Sequence, residues 1–192
     1  MKNKVGLFGG TFNPIHKGHS NSVRTVKDIF KLEKVIVMPA FRSPHRADED
    51  IVGESHRLKM VELEFSDLNY VEVNSQECER GGVSFTIDTI NYLLKENPNF
   101  DLDLIIGLDQ FLVFHNWKNF NEILEKVNLI VTSRPGHVIE EDLLNVNEKI
   151  QKHVTNMSDV EWELDTGKKI YLVQLEDIKT SSSEIRRKLR SG

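Results

Sequence analysis

The chain has 192 residues, 39% of them hydrophobic, and a formal charge of −5 at pH 7. That length supports one sizeable core. The negative balance argues against a nucleic acid or an anionic membrane held by bulk electrostatics, while a small anionic ligand needs only a few local cations. One cysteine, Cys78, excludes an internal disulfide framework and suits a reducing cytoplasm, and no apolar run is long enough to span a bilayer.

The apolar run Val5 to Phe8 predicts a buried strand, which Gly9 and Gly10 break and Asn13-Pro14 turns. His16 opens a helix carried by Val23, Val26, Ile29 and Phe30. Residues 35–38 form a second strand ended by Pro39, in the unbroken apolar pattern of a strand covered on both faces. A polar, proline-bearing loop over 41–50 precedes a helix over 57–65 and a short strand over 70–73. Gly81-Gly82 is a turn, Ser84 opens a helix to about Lys95, and Leu102 to Ile106 is a fourth strand closed by Gly107. A mixed segment over 109–117 and a helix over 120–126 lead to a fifth strand at 127–131. Residues 139–153 have helical spacing, 155–169 carry no readable pattern, 170–173 form a sixth strand and 182–190 a closing helix. Alternating strands and helices imply one α/β, Rossmann-like doubly wound domain over residues 1–192, its mainly parallel sheet of five to six strands flanked by helices. Ligands then bind at the carboxyl ends of the strands, where residues 9–11, 39–46, 107–109 and 133–134 all fall.

The chemistry-bearing groups each have a plainer reading beside the functional one. Gly9, Gly10 and Thr11 with His16 and His19 make an anion turn at a helix start, or a tight turn with two surface histidines. Gly18 between the histidines leaves room for a ligand against the backbone. A metal held by the two histidines ranks low, because no carboxylate or thiolate ligand has matching spacing. Ser181 and Glu184 form a capping box, but Arg186 and Arg187 in a first helical turn oppose the dipole unless an anion sits there. Asp109 is an N-cap or a ribose acceptor. Trp117 lies among polar neighbours, where stacking a planar ring would gain roughly 0.5–1.5 kcal/mol. Residues 84–86 offer helix N–H groups to a carboxylate, or are capped by Ser84. Arg46, beside His45, and Arg134 are candidate phosphate contacts. His56, His137 and His153 carry no supporting pattern.

Residues 9–19, GGTFNPIHKGH, resemble the histidine-x-glycine-histidine motif of the nucleotidyltransferase superfamily. Residues 180–186 resemble its serine-serine-threonine-x-isoleucine-arginine motif, with Ser183 for the threonine and Thr180 where isoleucine is usual. Ser43-Pro44-His45-Arg46 replaces the customary proline-proline-histidine-lysine. Residues 84–89, and Gly107 to Asp109 followed by Trp117, are most similar to the nicotinate-nucleotide adenylyltransferases, in which the first segment recognises the nicotinate carboxylate. Members typically extend further at the C-terminus than Arg190-Ser191-Gly192, which leaves the assembly, including a homo-oligomer, open.

The resemblance implies transfer of the adenylyl group of ATP to nicotinate mononucleotide, giving deamido-NAD and pyrophosphate. The mononucleotide phosphate attacks the α-phosphorus in line, with neither general base nor covalent intermediate. His16 and His19 are then catalytic, on the ATP phosphates. The ATP site takes in Gly9, Gly10, Thr11, Phe12, Gly18, Gly107, Asp109, Ser181, Ser182, Ser183 and Arg186. The mononucleotide site takes in Phe8, Gly10, Arg46, Ser84, Phe85, Thr86, Trp117 and Arg134. Mg²⁺ is held mainly by the ATP phosphates rather than by the protein. The alternatives are an adenylyltransferase for nicotinamide mononucleotide or phosphopantetheine, and a non-catalytic nucleotide-binding module.

Overall fold

The computed structural model describes residues 2–44, 51–133, 146–176, 178 and 180–191. Among them run eight strands: β1 (Asn3–Gly10), β2 (Lys34–Pro39), β3 (Val71–Val73), β4 (Phe100–Gly107), β5 (Asn128–Ser133), β6 (Val154–Met157), β7 (Glu161–Leu164) and β8 (Lys169–Gln174). All eight join one sheet in the order β3-β2-β1-β4-β5-β8-β7-β6. The pairs from β3 through to β8 are parallel, and β8-β7-β6 is an antiparallel extension. The helices are α1 (Lys17–Phe30), α2 (Glu54–Phe65), α3 (Gln76–Arg80), α4 (Thr86–Glu96), α5 (Leu108–Leu112), α6 (Phe120–Lys126), α7 (Glu148–Gln151) and α8 (Ser182–Ser191). None is long and apolar enough to cross a membrane.

Strand alternation divides the core in two. Ile36, Met38, Leu104, Ile106, Leu129 and Val131 pack with α4, α5 and α6 through Ile90, Phe111 and Ile123. Val35, Val37, Ile105 and Ile130 pack with α1 and α2 through Val23, Val26, Val61 and Phe65. On that second face β1 carries Gly6, where a Cβ would come within 2.8 Å of Leu32 Cδ1 and 3.0 Å of Ile105 Cδ1. Both neighbours are buried, so the missing side chain sets how closely the layer lies on the central strand.

The parallel core follows the expected α/β plan, but the sheet has eight strands rather than five to six. The two additional strands, β6 and β7, are four residues each. Every residue of β6 after Val154 is exposed, and β7 buries only Trp162 and Leu164. Neither strand carries an apolar run, and they are defined by antiparallel pairing, β7 on β8 and β6 on β7. Of the helix expected over 139–153, the described residues hold α7, and the chain re-enters the sheet at Val154. Residues 134–145 lie outside the described set. The short α3 was not anticipated, since residues 76–80 show no apolar periodicity.

Gly6→Ala tests the packing of the central strand. It is expected to lower unfolding stability by roughly 1–3 kcal/mol in urea titrations, the scale of an overpacked core.

Candidate active site

The topological switch point lies between β1 and β4, because the chain winds from β1 towards β3 on one side and from β4 towards β8 on the other. A cleft of about 840 Å³ opens at the carboxyl ends of these strands. Phe8, Gly9, Gly10, Thr11, Phe12, His16, Gly18 and His19 line one part of it. Gly107, Asp109, Ser181, Ser182 and Ser183 line another, and Ser84, Phe85, Thr86 and Trp117 a third. Arg186 lies instead in an adjoining surface depression with Ser183, Arg187 and Arg190. Arg46 and Arg134, with His45 and His137, lie outside the described residues.

The two histidines form the start of α1. His16 is its N-cap, and its Nδ1 accepts the Gly18 N–H at 3.1 Å. His19 Nδ1 in turn accepts the His16 N–H at 3.2 Å. This is a capping box built from imidazoles. With each Nδ1 accepting, the ring proton sits on Nε2, so both rings present an N–H donor. The rings stack at 3.8 Å between centroids, and Phe12 meets His19 edge-on at 5.3 Å. Phe12 holds a left-handed backbone (φ 48°) and is buried, as is Phe8 beside it. The absent side chain of Gly18 makes room for the His16 ring. A Cβ there would stand 2.9 Å from His16 Cε1 and 3.0 Å from Nδ1.

The start of α8 docks on this turn from the far end of the chain. Ser182 Oγ donates to the Pro14 carbonyl at 2.8 Å, and Arg186 Nη1 donates to the Asn13 carbonyl at 2.7 Å. Ser181 Oγ accepts the Glu184 N–H at 3.2 Å, half of the expected capping box, while the Glu184 carboxylate turns to Lys188 at 3.0 Å. The hydroxyl of Ser182 is therefore committed to the backbone, and Arg186 acts as a strap on the histidine turn.

Another part of the cleft wall comes from the start of α4. Its N-cap is Phe85 rather than Ser84, and no side chain caps its first turn. Ser84 Oγ accepts the Phe41 N–H at 3.1 Å and bonds Glu77, which also receives the Thr89 hydroxyl. Burial pushes the Glu77 carboxyl above its ordinary pKa, against the lowering by Thr89 and Ser84. Lys118 Nζ lies 4.6 Å from the centre of the Phe85 ring and 3.0 Å from the Asp88 carboxylate. Trp117 packs on Phe114 at 5.2 Å while keeping a place in the cleft wall. Asp109 is not an N-cap, since Gly107 holds that position in α5. Its carboxylate folds back over Gly107, where a Cβ would lie 2.6 Å from Oδ1.

Two buried charged residues at the site, Arg57 and Glu77, carry no functional signal of their own in the sequence. Arg57 reads there only as the first residue of the helix expected over 57–65. A cation at the head of the apolar row Arg57, Val61, Phe65 was the available sign of burial. Glu77 had none, because its hydroxyl partners reach it only through the packing of α3 on α4.

Residues 7–188 match the model of the cytidylyltransferase-like family. A probable nicotinate-nucleotide adenylyltransferase of Clostridium tetani is 34% identical over 195 residues, covering 100% of this chain and 89% of the relative. One from Clostridium perfringens strain 13 is 36% identical over 190 residues, covering 98% and 87%. The chain belongs to the nicotinate-nucleotide adenylyltransferase family. The fold is that of a Plasmodium falciparum nicotinic acid mononucleotide adenylyltransferase solved with NaAD. The TM-score is 0.71 at 16% identity, over 96% of this chain and 83% of that one.

For a nicotinate-nucleotide adenylyltransferase built this way, Gly18→Ala is diagnostic. Alanine ordinarily favours a helix, yet here its methyl displaces the His16 ring. Turnover is expected to fall by about tenfold or more with the circular-dichroism spectrum unchanged, the scale of displacing a side chain in the cleft wall by about an ångström.

Proposed function

We propose that this chain transfers the adenylyl group of ATP to nicotinate mononucleotide, releasing pyrophosphate and forming deamido-NAD. The observation that carries this reading is a single cleft walled both by a paired-histidine turn and by an uncapped helix start with Trp117. A transferase needs two ligands held together, and a lone nucleotide-binding module has no use for the second wall.

The mononucleotide phosphate is already ionised and needs no general base. The work left to the protein is alignment and charge stabilisation. In this reading the triphosphate lies across residues 9–12 and the start of α1. His16 and His19 donate their Nε2–H groups to its oxygens, most strongly as charge builds on the α-phosphate and the leaving pyrophosphate. The hydroxyls at the head of α8 complete the wall, with Arg186 holding the turn through the Asn13 carbonyl. Asp109 accepts from a ribose hydroxyl. The pyridine ring stacks on Trp117, and its carboxylate takes the N–H groups at the start of α4, where the helix dipole favours an anion. Lys118 neutralises Asp88 beside that position.

Mg²⁺ fits this reading as an ion carried by ATP. Among the described residues no three His, Cys, Asp or Glu side chains gather to hold a metal, and magnesium prefers phosphate oxygens and water to a protein cage. When bound, it spreads the charge of the pyrophosphate.

Pyrophosphate release from ATP with nicotinate mononucleotide, nicotinamide mononucleotide and phosphopantetheine in parallel tests the assignment. The acid mononucleotide is expected to be the preferred acceptor, and silence with all three would sink it. His19→Ala is expected to lower kcat more than it raises KM, the mark of a transition-state contact. Trp117→Ala is expected to raise KM for the mononucleotide and leave that for ATP nearly unchanged. Equal loss for both substrates would make Trp117 structural.

A further inference from the structure

Arg57 is only 1% exposed. Its guanidinium donates to backbone carbonyls: Nη1 to Thr11 at 2.7 Å, Nε to Val52 at 2.9 Å and Nη2 to Phe41 at 3.0 Å. No carboxylate among the described residues forms an ion pair with it. Fully buried arginines are rare and are normally paired, because an uncompensated charge in a low-dielectric interior is costly. Burial accordingly pushes its pKa down, and the fields of Cys78 and Glu54 offset only part of that. A molecule that keeps such a charge has a use for it.

The placement says what that use is. Thr11 lies in the turn between β1 and the histidines, and its carbonyl shares a peptide group with the Phe12 N–H. Phe41 lies past β2, and its N–H donates to Ser84 Oγ, while the Ser84 N–H donates to the Arg42 carbonyl at 2.9 Å. One rigid guanidinium thus ties the phosphate end of the cleft to the pyridine end. Donation into the Thr11 carbonyl also polarises the Thr11–Phe12 peptide and strengthens its N–H as a donor.

We propose that Arg57 is a positioning and charge-supplying residue for the transfer, and that the polyphosphate of the substrate is the counter-anion its buried guanidinium lacks. This rests on the reading that the triphosphate lies on the residues 9–12 turn. The charge stands behind the turn, where it adds positive potential without entering the cleft and without ordering a solvent-exposed side chain. The forked geometry matters as much as the charge. A lysine keeps the cation but cannot span three carbonyls facing three directions.

The test uses the full chain and inorganic tripolyphosphate as the anion probe. Arg57→Gln is expected to lower kcat/KM for ATP by about tenfold or more, less than the roughly hundredfold loss of a donor that touches the reacting group directly. It is also expected to shrink the rise in melting temperature that tripolyphosphate gives the parent chain. Arg57→Lys is expected to restore that rise but not kcat. A folded Arg57→Gln protein with the parent's KM for ATP and the parent's thermal response overturns the proposal. A measurement without substitution stands beside these. The Arg57 Nε–H resonance of the unaltered protein is expected to move on titration with tripolyphosphate, and an unmoved resonance in a chain that binds the probe overturns the assignment to Arg57 alone. A parent chain that binds neither tripolyphosphate nor ATP overturns the functional reading beneath it.

Discussion

The site depends on the backbone carbonyls of the turn between β1 and α1. Residues 11–14 belong to no ladder and no helix, so their polar groups must find partners elsewhere or remain costly. Three donors from distant parts of the chain meet that need: Arg57 on Thr11, Arg186 on Asn13 and Ser182 on Pro14. Two of these come from α8, more than 160 residues away in the chain. The turn that carries the histidines is therefore held by the rest of the fold, which is what a loop with the left-handed Phe12 at its centre requires.

The same economy governs the histidines. A serine or aspartate at the N-cap would satisfy α1 equally well, but would leave no imidazole aimed into the cleft. Using His16 and His19 as the capping box fixes both tautomers with the bonds that start the helix. The start of the helix and the orientation of both rings become one set of hydrogen bonds. Gly18 is the condition for it, because any side chain there would occupy the space of the His16 ring.

Charge is arranged in layers around an overall negative chain. Glycine backbone, hydroxyls and imidazoles face the cleft beside Asp109, Glu77 and Lys118, while Arg57 and Arg186 hold the turn without lining the cleft. Glu77 takes hydroxyls rather than a cation as hydrogen-bond partners. A charge outside the cleft lining, as Arg57 is, shapes the potential without competing for the ligand's own polar groups.

Periodicity and punctuation alone made the parallel core legible. Apolar runs ending in Gly10, Pro39 and Gly107 marked three strands of the inner sheet, and their carboxyl ends marked where the cleft would open. The glycine turn, the two histidines, Trp117 and the serine-rich helix start were legible as residue types at fixed spacing, since those signals are local. The tertiary structure alone decided the rest. Strand β7 exists through pairing with β8 and β6 through pairing with β7, and neither buries enough to announce itself. Gly18 proved to serve His16, and Ser84 to serve Glu77 and Phe41, because a side chain's partner depends on which elements pack together. Arg57 reads in sequence as a cation on a helix. Its burial, and the three carbonyls it joins, appear only when the turn after β1 packs against both ends of the β2–α2 connection over it.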